Sequence, residues 1–151
     1  MTIFWHNHFT SNLIKVLPPL LYQQNQIFRQ YGLENFRLLL FKVMQDPAIH
    51  LYLDNQKNHK NKPNENLARE LLELFTMGEG DHYNEEDIRQ IAKALTGYRL
   101  DNHSGKLIFK QQSHDSSQKN ILGNVGYHKL EGLLDIILGH PQTALFISRK
   151  F

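Results

Sequence analysis

The amino-acid sequence predicts a mainly α-helical chain, a multi-helix orthogonal or bundle-like domain with one small β-hairpin near residues 98–110. Three observations lead there. Apolar residues recur at helical spacing over most of the length, proline and glycine fall where helices should start and stop, and after Gly97 the texture changes to short apolar runs around a turn-rich stretch. At 151 residues one domain over 1–151 is expected. A chain of this size can bury about two-thirds of its unfolded surface without a metal or disulfide.

Between Ile3 and Leu17, Trp5, Phe9, Leu13 and Val16 recur at helical spacing, and Pro18-Pro19 is read as ending that helix. A second helix over Leu20 to Tyr31 closes at Gly32, and a third over Glu34 to Gln45 sets Phe36, Leu40 and Val43 on one side. Asp46-Pro47 reads as an N-cap with proline at the first helical position, opening a short helix to about Leu53. Asn55 to Pro63 holds nothing apolar and reads as a loop. The next helix runs from Asn64 to Met77 and ends at Gly78. Another follows a cap at Asn84, with Glu85, Glu86 and Asp87 favoured by the positive helix terminus, Ile88, Ile91, Ala92 and Leu95 as its apolar stripe, and Gly97 as its end.

Tyr98-Arg99-Leu100 and Leu107-Ile108-Phe109 flank Asp101 to Lys106, which gives the hairpin. Gln111 to Asn124 is polar and expected to be irregular. Leu130, Leu133, Leu134 and Ile137 mark a helix stopped by Gly139, and Pro141 starts the last one. Phe146, Ile147 and Phe151 keep that helix apolar to its end, so self-association, or contact with flanking segments of a parent protein, is expected there.

With 17 basic and 15 acidic residues the charge is +2, which argues against nucleic acid as a partner. Lys57, Lys60 and Lys62 with His59 lack interleaved aromatics and read as a solvated basic loop. No cysteine is present, which excludes thiol catalysis, disulfides and thiolate metal sites. No stretch reaches the ~20 apolar residues of a membrane span, and Met1 leads directly into an aromatic, His-rich run without the pattern of a signal peptide. The chain as written is expected to be soluble, with its localisation open.

On a helical wheel Leu67, Ala68, Leu71, Leu72, Leu74 and Phe75 fill one side of the Asn64 to Gly78 segment, and Glu65, Asn66, Arg69, Glu70, Glu73 and Thr76 the other. Glu65, Arg69 and Glu73 stand four apart, which places one guanidinium between two carboxylates. The run Pro63-Asn64-Glu65-Asn66-Leu67-Ala68-Arg69-Glu70-Leu71-Leu72-Glu73-Leu74-Phe75-Thr76-Met77-Gly78 resembles the signature of the bacterial family called domain of unknown function 1800. Phe4-Trp5-His6-Asn7-His8-Phe9, Asp54-Asn55 with Asn58, Ala94-Leu95-Thr96-Gly97-Tyr98, His114-Asp115 and Lys119-Asn120-Ile121-Leu122-Gly123 support it in the same order. Family members are typically longer, so the resemblance implies a central piece of a larger domain whose parent protein can be exported. It implies no activity and no cofactor.

The polar face of that helix is therefore the place to look. Asn55, Asn58, Asn64, Glu65, Arg69, Glu70 and Glu73 are the candidate binding residues, as amides and charges that order a loop or grip a polar partner. The competing class is a metal-assisted hydrolase with Glu65, Glu70 or His114 as catalytic candidates and His6, His8, His114 and Asp115 as candidate ligands, a set suited to zinc or manganese. His6 and His8 diverge by about 200° on a helix and do not share one ion readily. One of them is expected against the core and the other in solvent, and His114-Asp115 is expected to be a turn closed by an Asx cap.

Overall fold

Pro18 and Pro19 open a helix rather than close one. In a computed structural model that describes residues 1–151, α1 spans Thr2–His8 and α2 spans Pro18–Tyr31 with both prolines in its first turn. Proline there loses nothing, because the first amides of a helix have no partner in any case. The helix expected to continue to Leu17 gives way to an irregular 9–17 segment, in which Phe9 and Val16 are buried while Leu13, expected on the apolar face, is exposed. Trp5 ties α1 to the end of α2, its indole N–H donating to the Gly32 carbonyl at 2.8 Å.

The next two helices open at capping side chains, Asp46 as expected and Asn35 one residue past the expected start at Glu34. Asn35 accepts from the Leu38 amide at 2.9 Å to open α3, Phe36–Met44, and Asp46 accepts from the Ala48 amide to open α4, Pro47–Tyr52. A single 3-10 turn at Asn55–Lys57 follows. α5, Asn66–Glu70, passes without a break into a wider π-helical turn, Leu71–Thr76. α6, Glu85–Ala94, carries a full capping box in which Asn84 and Asp87 each bond the other's amide at 3.0 Å. α7, Leu130–Gly139, and α8, Pro141–Ser148, complete the helices.

The expected hairpin is present as β1, Tyr98–Asp101, and β2, Lys106–Phe109, antiparallel with Tyr98 opposite Phe109. A second, unexpected one lies inside the polar stretch, pairing β3, Lys119–Ile121, with β4, Asn124–Gly126. Three-residue strands are too short to show alternation. This hairpin is held by its turn, where Leu122 and Gly123 take positive φ, and by Asp87, which accepts from the Leu122 amide at 2.9 Å.

One cluster of 24 buried side chains draws on α1, α2, α3, the π-turn, α6 and α7, and a smaller group of Val16, Leu20 and Ala48 sits beside it. Two glycines are demanded by this packing. Gly97 has φ +97, and a Cβ there would lie 3.0 Å from His114 Cβ; Gly78 has φ +79, and its Cβ would lie 2.7 Å from the Phe146 ring. At the end of α8, Phe146 and Ile147 are half-buried and Phe151 stacks on Phe4 at 4.8 Å yet stays 70% exposed. No helix is long and apolar enough to cross a membrane.

Candidate functional site

The segment from Leu67 to Phe75 packs as its pattern demands up to Glu70, with Leu67, Ala68, Leu71, Leu72 and Phe75 buried. Then the helix widens. The Met77 amide reaches back to the Leu72 carbonyl at 2.9 Å, and the Thr76 hydroxyl donates to the Leu71 carbonyl at 2.6 Å. Adding a residue to the turn shifts the phase of everything after it. Thr76, placed by the wheel on the polar face, is fully buried, and Leu74, placed on the apolar face, is 49% exposed. Such π-turns are rare and recur at functional sites.

On the polar face the guanidinium of Arg69 lies 3.4 Å from both Glu65 and Glu73, as the spacing requires. Its main partner is different. Glu85, from the first turn of α6, takes both guanidinium nitrogens at 2.7 and 2.9 Å, an arrangement that straps α5 to α6. Glu85 holds the Arg69 proton more firmly than usual, and Arg69 in turn holds the Glu85 carboxyl below its ordinary range. Arg89 adds a bond to Glu86 at 2.7 Å and reaches toward Glu65 at 4.0 Å.

Asn55 and Asn58 are buried rather than solvated, and Asn64 is half-buried. Asn55 donates to the Leu95 carbonyl at 3.1 Å and to His50 Nδ1 at 2.9 Å, while Asn58 donates to the Ala92 carbonyl at 2.8 Å and accepts from the Asn64 amide at 2.8 Å. Together they pin the 55–64 loop to the carbonyls that end α6, which no composition argument reveals. Asn64 accepts from the Asn66 amide at 3.0 Å and so opens α5.

The histidines divide. His8 is buried, its Nε2–H donates to the Phe75 carbonyl at 3.0 Å, and burial pushes it down to about 4, whereas His6 is exposed. His114 is buried, donates from Nδ1 to the Thr96 carbonyl at 2.9 Å, and is lowered by burial. Asp115 closes the expected Asx turn by accepting from the Ser117 amide at 2.8 Å; burial raises its carboxyl, but the bonds from Ser117 outweigh that and leave it lowered. Lys119, named in the sequence only within the run that supports the family resemblance, is buried beneath this turn and donates to the Asp115 and Ser117 carbonyls at 2.6 and 2.8 Å. A polar hollow of about 400 Å³ elsewhere gathers Asp81, His82, Asp87, Asn120 and His140. No group of three or more His, Asp or Glu side chains is arranged to hold a metal ion, so His6, His8, His114 and Asp115 do not form a ligand set with each other or with Glu65 and Glu70.

What the fold does assemble is a cleft of about 720 Å³ with three walls. Thr10, Asn12, Ile14 and Lys15 come from the 9–17 segment, Tyr52 and Leu53 from the end of α4, and Asn66, Arg69, Glu70, Leu74 and Phe75 from α5 and the π-turn. Lys15 is turned toward Asp54 at 3.1 Å and the Tyr52 carbonyl at 3.3 Å. Glu70 is half-buried and makes no hydrogen bond or ion pair within the chain; burial raises its carboxyl, Glu73 adds to the effect and Arg69 opposes it.

The model of the family described as "Protein of unknown function (DUF1800)" matches residues 1–151. The chain belongs to that family. No curated protein and no solved structure matches it. In this DUF1800 chain the signature run contributes five of the cleft residues. The opposite wall, Thr10 to Lys15, went unrecognised because its apolar residues repeat at helical spacing. Ile14, off that apolar repeat, is 90% exposed, while Phe9 and Val16 at the ends of the segment are buried.

Proposed function

We propose that this chain is a non-catalytic binding module, a bundle-like arrangement of helices whose cleft between the 9–17 segment, the end of α4 and the π-turn receives a ligand that is apolar along one side and polar along the other. The observation that carries it is the pairing of Glu70 and Leu74 on one wall. Glu70 is the half-buried carboxyl with no partner, and Leu74 is the signature leucine turned out of the core into the same hollow. A solvated helix needs neither. The remaining polar candidates support the reading by what they build: Glu65, Arg69 and Glu73 strap α5 to α6, and Asn55, Asn58 and Asn64 fix the loop that leads into α5. The cleft volume lies in the range of small-molecule and side-chain pockets, which is roughly 300–1,000 Å³.

A fragment screen by amide-resolved NMR tests the reading. Amphipathic fragments are expected to move the signals of Thr10, Asn66, Glu70 and Leu74 together. Fragments that shift residues only elsewhere, or none at all, would sink it.

A further inference from the structure

We propose that the occupant of the cleft is a lysine or arginine side chain, flanked by apolar residues, of another polypeptide. This rests on the cleft being a binding site and adds the chemistry of what enters it.

Charge complementarity gives the sign. Each cation at the cleft already has a carboxylate partner: Lys15 has Asp54 at 3.1 Å, which it shares with Lys57 at 2.9 Å, and Arg69 has Glu85 at 2.7 Å with Glu65 and Glu73 at 3.4 Å. Glu70 is matched by nothing, and the carboxylates around it outnumber the ammonium and guanidinium groups. An anion entering here would lie against Glu70, with both basic groups of the lining, Lys15 and Arg69, already paired to carboxylates. A neutral apolar group would strip water from Glu70 and return nothing. A cation returns a charge-assisted hydrogen bond, while its methylene stem lies along Leu74, Leu53 and the Tyr52 ring.

The rim gives the size. Ile14 on the cleft wall and its chain neighbour Leu13 stand 90% and 69% exposed. A lone amine would leave them bare; a polypeptide with apolar neighbours beside its basic residue covers them. At the same edge the Asn66 side chain and the Asn12 amide nitrogen have no partner within the chain and can meet main-chain groups, while the Thr10 hydroxyl donates to the Asn7 carbonyl and Asn12 Oδ1 accepts from the Ile14 amide.

The probes are acetyl-Leu-Lys-Leu-amide, the same peptide with norleucine in place of lysine, and n-butylamine, each titrated into isotope-labelled full chain and into Glu70→Gln, with the fold of the variant checked by its amide spectrum. The lysine peptide should shift Asn66, Glu70 and Leu74 and bind about tenfold more tightly than the norleucine peptide, with n-butylamine weaker still. Glu70→Gln should erase the tenfold preference. Equal binding of both peptides, or a preference that survives Glu70→Gln, overturns the cationic occupant while leaving the cleft reading intact. An amine that matches the lysine peptide overturns the polypeptide source. Absence of any shift at the cleft with all three probes overturns this inference, and a negative fragment screen is what removes the cleft itself.

Discussion

Arg69 grips both carboxylate oxygens of Glu85, and it does so between two further carboxylates of its own helix. Removing the guanidinium leaves Glu65, Glu73 and Glu85 facing one another. Arg69→Met should therefore lower the thermal midpoint by about 2–4 °C, with the loss shrinking as added salt screens the carboxylates. Arg69→Lys should recover only part, because an ammonium cannot make the two-pronged contact. Full recovery by lysine would show that charge alone matters.

Leu74 and Leu71 belong to the same apolar run but not to the same environment. Leu71→Ala should destabilise the fold by about 2–5 kcal/mol, as for a buried leucine. Leu74→Ser should change the unfolding free energy read by urea titration by less than about 1 kcal/mol. Equal losses would mean that the turn is an ordinary α-helix with Leu74 inside.

Asp46 is buried without a cation, held by the Ala48 amide and by Gln24 at 2.7 Å, with Ser11 donating to Gln24 behind it. Burial pushes its carboxyl up to about 7 from 3.8. A raised folded-state value means the native chain keeps a proton that the unfolded chain gives up. The stability Asp46 contributes is thus complete below about 3.8 and is lost as pH rises through about 7. Asp46→Asn removes the titration, and Gln24 can reverse its amide to match. Urea unfolding across this window should show the wild-type chain losing ground to Asp46→Asn as pH rises; parallel curves would contradict it.

His50 works in the opposite direction. It donates to the Met44 carbonyl at 2.8 Å, accepts from Asn55, and burial pushes it down to about 4 from 6.5. The native chain refuses a proton that the unfolded chain takes, so stability present above 6.5 drains away as pH falls toward about 4. His8 adds the same slope. His50→Gln, which keeps a donor for Met44, should be less stable than wild type at pH 7 but should lose less on acidification to pH ~4.5. An unchanged acid slope would remove His50 from the account.

Asn58 fills three bonds with one side chain, to Asn55, the Ala92 carbonyl and the Asn64 amide. Asn58→Ala leaves buried groups unmatched and should reduce unfolding free energy by about 2–3 kcal/mol, read by urea titration. Asn58→Asp should be worse near neutral pH, where its carboxylate would face the Ala92 carbonyl.

The sequence made legible those features that depend on neighbours along the chain. The Asn84 capping box, the 98–109 hairpin and the four-residue spacing of Glu65, Arg69 and Glu73 are local, and each is present. Glu70, on the polar face, does line the cleft. What stayed hidden depends on distant chain or on a change of period. Leu74 and Thr76 exchange places because one wide turn breaks the 3.6-residue repeat on which a wheel relies. Asn55 and Asn58 are buried because carbonyls of α6 lie above them, and Lys119 because a turn folds over its ammonium. Glu85 could not be assigned to Arg69 from spacing, since the two lie 16 residues apart across a loop.

Trp5 is the only tryptophan in the chain. Its indole N–H is bonded to Gly32 at 2.8 Å, and its ring packs against Phe4, Phe9 and Phe36. Its fluorescence therefore originates from a single water-shielded indole at the junction of α1 with the end of α2. Any event that lifts α1 away will redden that emission before the helices beyond it have to melt, and comparison with far-ultraviolet dichroism will separate undocking of this corner from unfolding of the whole.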